Sequence, residues 1–246
     1  AAEAALQAAA QKLPNLADPA APVGGEEDAV VVKTVGSPPS FPPGFTPVDH
    51  LALGASLDLI DFDTGAASTG AKFVYLRRAA AQLELALCTW ALGEAAAAGF
   101  IPMTTPDLVR EAVLEKCGFQ PRADNTQVYG VRDSGLCLTG TAEVPLAAVA
   151  MDKVLPASAL PLRMAAFGHC FRTEAGAAGS ASRGLYRVHQ FSKVELFVVC
   201  EPSQSASVLA DLLAFEESLF TGLGLHYRVL DMPMGDLGAP AARKFD

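Results

Sequence analysis

The sequence has no run of the roughly 18 apolar residues that a membrane-spanning helix needs, so no transmembrane helix is expected. It has no GxxxxGKS or GxxxxGKT loop, which removes the commonest cradle for nucleotide phosphates. Lysine and arginine never gather into a dense tract, and the formal net charge is −9. Such a surface repels a polyanion, so bulk affinity for nucleic acid is not indicated, although a locally basic cleft can still admit the end of one. His169 beside Cys170 has no second cluster at zinc-ligand spacing, and no metal site is predicted. The five cysteines, Cys88, Cys117, Cys137, Cys170 and Cys200, are odd in number and widely spaced. They read as buried thiols in a reducing compartment, with no disulfide framework. No targeting peptide is recognisable, which leaves the cytoplasm and the matrix of a mitochondrion or plastid as alternatives. No internal repeat is evident.

What is present suffices for one substantial core, since 51% of the 246 residues are hydrophobic. Alanine is frequent enough to inflate apparent helicity, so helical readings in alanine-rich stretches are discounted. Residues 1–50 read as a residual helix end, stopped by Pro14, followed by a linker rich in proline, glycine and serine over 34–49. Residues 51–246 read as one domain. A strand is predicted over Lys72–Arg77, then a helix over Ala79–Ala98 with Leu83, Leu87 and Trp90 at helical spacing and Gly99 as its stop. Short strands fit Thr126–Val131 and Leu136–Thr141, followed by a brief helix over Val144–Met151. Long strands fit Leu162–Thr173 and Leu185–Cys200. A second helix spans Ser203–Leu223, with Ser203 as cap and Gly222 as stop, and a last strand covers His226–Met232. This order predicts an α+β fold, an antiparallel or mixed sheet flanked by helices, and argues against a doubly wound nucleotide fold.

The chemistry concentrates in FRTEAGAAGSASRGLYRVHQFSKVE, from Phe171 to Glu195. Alternation puts Arg172 and Glu174 on one side of the outgoing strand and Arg187, Phe191 and Glu195 on one face of the return strand, Phe191 and Glu195 being about 13 Å apart. Gly176 and Gly179 relax the backbone of the connecting loop. An arginine can neutralise phosphate in a bidentate fork, an aromatic ring can stack on a base, and a carboxylate can hold an ammonium group. Taken singly, each residue also has an ordinary reading: a surface ion pair, a core aromatic, a hairpin glycine. His189 reads as structural, and Arg183 as a further candidate for anion contact.

The joint order and spacing resemble the second signature motif of class II aminoacyl-tRNA synthetases, in the form carried by the serine-specific members. TGTAEVPL from Thr139, GDLGAPAARKFD from Gly235, and GFIPMTTPDLVRE from Gly99, similar to the dimer-forming motif, extend the resemblance over about Pro14 to Asp246. It implies a class II catalytic-domain sheet, incomplete at the C-terminal end, that activates L-serine with ATP and Mg²⁺ and transfers it to tRNA(Ser), as a homodimer. By the same resemblance Arg172 meets the α-phosphate and Glu174 the adenine amine or the acceptor end. Phe191 stacks on adenine, with Thr173 and Arg187 in the same ATP-binding set. Thr141, Ala142, Glu143 and Glu195 form the serine pocket. Two departures stand out. Ser180 and Ala181 replace polar residues usual in the loop, and the family's third motif, with the arginine that clamps the γ-phosphate, lies past the position of Asp246. The isolated 246-residue chain is therefore expected not to aminoacylate. The alternative is a catalytically inactive, synthetase-like binding or interaction protein.

Overall fold

The computed structural model of the protein describes residues 2–10, 13–119, 126–174 and 183–246. In chain order the elements are α1 (Ala2–Ala10), β1 (Val30–Val35), α2 (His50–Ser56), β2 (Ile60–Asp61), α3 (Phe62–Ser68), β3 (Tyr75–Leu76), α4 (Arg78–Ala97), β4 (Ile101–Thr104), β5 (Leu108–Arg110) and α5 (Glu111–Lys116). There follow β6 (Gly130–Val131), β7 (Leu136–Leu138), α6 (Glu143–Val149), β8 (Leu162–Phe171), β9 (Gln190–Val199), α7 (Ser205–Gly222) and β10 (Tyr227–Asp231).

Contacts divide the chain into two units, and the boundary predicted near residue 50 is not where they divide it. The first unit joins residues 1–42, 115–118 and 202–246, because β1 pairs antiparallel with β10, Val30 opposite Asp231 and Val35 opposite Tyr227. Arg243 ties this unit's end by donating from Nη2 to Asp231 Oδ2 at 2.7 Å. β1 escaped the sequence reading because VVVKTV does not alternate, and five of its six residues are exposed.

The second unit, residues 43–114 and 119–201, holds the two longest strands. β8 and β9 pair antiparallel along their whole length, from Leu162 opposite Val199 to Phe171 opposite Gln190. β4 adds to the other edge of β8 in parallel, Ile101 opposite Met164. β5, β7 and β6 form a small antiparallel sheet, and β2 pairs with β3. The fold is a mixed sheet with helices against it, as the order of elements predicts.

α4 forms where expected, and Gly99 follows it at φ +86, a left-handed value that glycine adopts without cost. α4 lies against β4, β8 and β9, yet of its predicted apolar stripe Leu83 and Leu87 are exposed and Trp90 is half-buried. The predicted start of α7 moves, while its end at Gly222 is where it was expected. Gln204, not Ser203, precedes the helix, and no side chain caps it; beyond Gly222 the chain turns out through Gly224 (φ +68). The predicted strand over Lys72–Arg77 shrinks to Tyr75–Leu76, because Lys72 takes φ +63, which strand geometry excludes. All five cysteines are free thiols, Cys137 and Cys170 fully buried.

α6 closes the core of the second unit. Ala142, Leu146, Met164 and Ala166 form a buried cluster, with Phe197 and Val199 packed against it. Leu146 is 0% exposed. Leu146→Ala in the intact protein is expected to cost about 2–5 kcal/mol, as transfer loss plus the cavity left behind, read as a fall in the denaturation midpoint.

Candidate functional site

Residues opposite one another in an antiparallel pair share a face. Met164, Ala166, Gly168 and Cys170 therefore lie on the same side as Phe197, Glu195, Lys193 and Phe191. The α6 cluster covers one end of this face. At the other end β8 carries only Gly168 and Cys170 opposite Lys193 and Phe191, so the larger side chains of β9 project into open space. Burial pushes the Cys170 thiol up, which keeps it protonated and unreactive beneath them.

Thr141 and Glu143, at the entry to α6, meet Glu195 there. Thr141 Oγ1 donates to Glu195 Oε2 at 2.6 Å and accepts from the Glu143 backbone N–H at 3.2 Å. Lys193 Nζ lies 2.6 Å from the same Glu195 oxygen. Loss of hydration, and secondarily the Glu195 charge, raise the Glu143 pKa above the ordinary carboxylate value, while Lys193 opposes the shift. Glu143 stays open to solvent, and water moderates that penalty. With all three ionised, the trio carries one net negative charge, which a single ammonium group would balance. Ala142 is different: it is 1% exposed, and its side chain belongs to the core cluster.

The second half of the site is an open cleft of about 450 Å³ lined by Arg172, Glu174, Phe191 and the segment from Leu185 to Val188. The Arg172 guanidinium lies over the Phe191 ring, 5.1 Å from its centroid. Its backbone is fixed on both sides: Arg172 N–H donates to His189 O at 3.0 Å, and His189 Nδ1 lies 2.9 Å from Arg172 O. A carbonyl oxygen can only accept, so Nδ1 carries the hydrogen, and Tyr129 Oη, 2.6 Å from Nδ1, shares it as a second acceptor. The His189 ring stacks on Phe73 at 5.2 Å. His189 thus supports Arg172 from behind, in line with its structural reading.

Glu174 sits at φ +50, and its side chain is 8% exposed. Arg187 Nη1 donates to it at 2.7 Å. This pairing, not strand alternation, places Arg187, because β9 begins only at Gln190. Thr173 is not brought into the cleft lining: its hydroxyl donates to Thr126 O at 2.6 Å and its N–H to Gln127 O at 3.1 Å. Gly176, Gly179, Ser180 and Ala181 lie outside the described residues. Lys193 and Tyr129 were missed by the sequence reading. Lys193 shares the parity of Phe191 and Glu195, which was enough to find it; nothing local marks Tyr129, 60 residues from its partner His189. Among the described residues, no group of three metal-ligating side chains occurs.

Residues 129–246 match the tRNA synthetase class II core domain (G, H, P, S and T). The whole chain is 47% identical to a serine–tRNA ligase of Treponema denticola and covers 58% of that protein. Over 96% of its length it is 48% identical to one of Rubrobacter xylanophilus, of which it covers 55%. In structure, 99% of the chain superposes on 59% of the seryl-tRNA synthetase of Pyrococcus horikoshii solved with ATP, at TM-score 0.91 and 32% identity. It superposes equally on 58% of the cytoplasmic serine–tRNA ligase of Naegleria fowleri solved with AMP, at TM-score 0.92 and 29% identity. The chain belongs to the class II serine–tRNA ligase family. It spans little more than half the length of these family members.

The raised Glu143 pKa has a definite sign within this family's fold. Ionised Glu143 is disfavoured in the folded state, so folding is weakened above the shifted pKa and unaffected where both states are protonated. Glu143→Gln is expected to raise the thermal midpoint at pH 7 to 8 and to lose that advantage as the pH falls below the ordinary value of 4.5, read by thermal denaturation at both ends.

Proposed function

We propose that the intact protein activates L-serine with ATP and passes the seryl group to tRNA(Ser). The observation that carries this reading is a single strand, β9, presenting Phe191 in the cleft and Glu195 in the acidic pocket on one face. The solved relatives bound to ATP and AMP support placing the nucleotide in the cleft.

In this reading Phe191 offers its ring to adenine, and Arg172 moves from that ring to the α-phosphate. Glu174, held by Arg187, accepts from the adenine amine or meets the tRNA end. Glu195, oriented by the Thr141 hydroxyl, takes the serine ammonium, displacing Lys193 from its contact, with Glu143 alongside. A serine carboxylate oxygen then attacks the α-phosphorus, the bond to pyrophosphate breaks, and Arg172 neutralises the charge that gathers on the phosphoryl oxygens. In the second step a ribose hydroxyl of the terminal tRNA nucleotide attacks the seryl carbonyl and AMP leaves. No side chain forms a covalent intermediate. A magnesium ion would supply charge neutralisation to the ATP phosphates. Glu174 is the carboxylate of the cleft, which fits an ion that takes one or two carboxylates and draws its other ligands from phosphate and water.

Serine-dependent ATP–pyrophosphate exchange by the intact protein tests the assignment. Exchange with another amino acid overturns it, and binding of ATP and serine without exchange fits the inactive, synthetase-like binding protein instead. Glu195→Ala is expected to weaken serine recognition by about 2–5 kcal/mol, seen in the serine KM. Arg172→Ala depresses exchange turnover by about 2–4 kcal/mol. Phe191→Leu is milder, on the stacking scale of about 1–3 kcal/mol per base.

The exposed Leu83, Leu85 and Ile101 beside the motif similar to the dimer-forming one support a homodimer. Light scattering on the intact protein is expected to give twice the subunit mass at micromolar concentration.

A further inference from the structure

We infer that His50, more than 100 residues upstream of the second motif, is the positioning residue that sets one wall of the nucleotide cleft. The inference rests on the proposed use of that cleft for ATP. Leu185, Tyr186 and Arg187 form the wall; the first two belong to a short 3₁₀ turn, Gly184–Tyr186, and all three lie outside any strand pairing. Its backbone is held by His50: the Leu185 N–H donates to His50 Nε2 at 3.1 Å. Nε2 is therefore the bare nitrogen and Nδ1 carries the hydrogen. The Tyr186 ring meets the same imidazole edge-on, with centroids 4.9 Å apart and planes at 69°.

Two further features show that this approach is built in. Gly184 sits at φ +66, and a Cβ there would overlap the His50 ring, so glycine is required both by the backbone and by the closeness of the histidine. On the adjoining residue Asp49, one carboxylate oxygen caps α2 by accepting from Ala52 N–H at 2.8 Å, and the other lies 3.4 Å from Arg183 Nη2. The start of α2 thus holds the returning chain at Arg183, Leu185 and Tyr186. Arg187 follows directly and reaches Glu174. Release of Leu185 frees the wall and unsettles the Arg187–Glu174 pair, whereas Thr141 and Glu195, on α6's entry and β9, keep their own bond. His50 touches no substrate atom in this scheme; it acts through Leu185 and Tyr186.

The test compares His50→Ala with His50→Gln in the intact protein, because a glutamine Oε1 reaches about as far as Nε2 and restores an acceptor. ATP binding is measured by calorimetry with ATP alone, and the KM values for ATP and serine by exchange. His50→Ala is expected to raise the ATP dissociation constant and ATP KM roughly 3- to 10-fold, the scale of one lost hydrogen bond, with the serine KM changed less than about twofold. His50→Gln recovers most of the loss. Unchanged ATP constants in His50→Ala, an equal rise in the serine KM, or a His50→Gln protein as impaired as His50→Ala overturns the inference. If the unaltered protein binds ATP but shows no serine-dependent exchange, the proposed function falls and the calorimetric comparison still decides the role of His50. If it binds no ATP, both fall.

Discussion

A one-residue slip in the pairing of β8 with β9 would turn Phe191, Lys193 and Glu195 to the opposite side of the sheet and bring their neighbours Ser192 and Val194 into the site. The register of these two strands is therefore the constraint on which the rest depends. It is enforced where the face is dry: Met164 and Ala166 of β8, with Phe197 and Val199 of β9, must meet α6, and any other pairing would expose them. The apolar half of the face fixes the alignment of the polar half. Hydrophobic burial thereby sets the placement of charged groups that contribute nothing to the core themselves.

That division also accounts for the local electrostatics in a chain of strongly acidic balance. The net charge of −9 says little about either half of the site. At one end two carboxylates share a lysine; at the other, two arginines stand beside one carboxylate and a ring. The two ends thus carry opposite local excesses along the β8–β9 pair, which suits a cationic amine and an anionic phosphate held within one extended site. Arg172, Arg187, Glu174, Lys193 and Glu195 each already have a partner, so binding exchanges partners and avoids leaving those charges bare, which lowers the desolvation cost.

How much of this was legible depended on whether a residue's position follows from local periodicity. Phe191 and Glu195 lie inside one regular strand, and alternation placed them correctly on one face. The same alternation, carried back to Arg187, ran past the strand's first residue, and the real constraint there is an ion pair with Glu174. Thr173 and Ala142 were assigned through their neighbours in a motif, while in the structure one is occupied by a backbone carbonyl and the other by the core. β1 was invisible because its partner lies some two hundred residues away, and the start of α7 shifted because Ser203 makes no capping bond there. Long-range partners such as Tyr129 with His189 carry no signature in a window of neighbouring residues.

The pairing of β1 with β10 has a consequence for synthesis. Val30 and Asp231 come together from some two hundred residues apart. The equilibrium cost of closing so long a loop is modest, growing by only about 0.6 kcal/mol for each doubling of length. The kinetic cost is larger. On the ribosome, the valines of β1 emerge some two hundred residues ahead of β10, and their hydrogen-bonding edge stays unmatched until β10 follows. Through that interval the nascent strand is a template for wrong partners, including the same strand on a neighbouring polysome-bound copy. The exposed Lys33 and Thr34 within VVVKTV act as gatekeepers, interrupting an otherwise apolar edge during the wait.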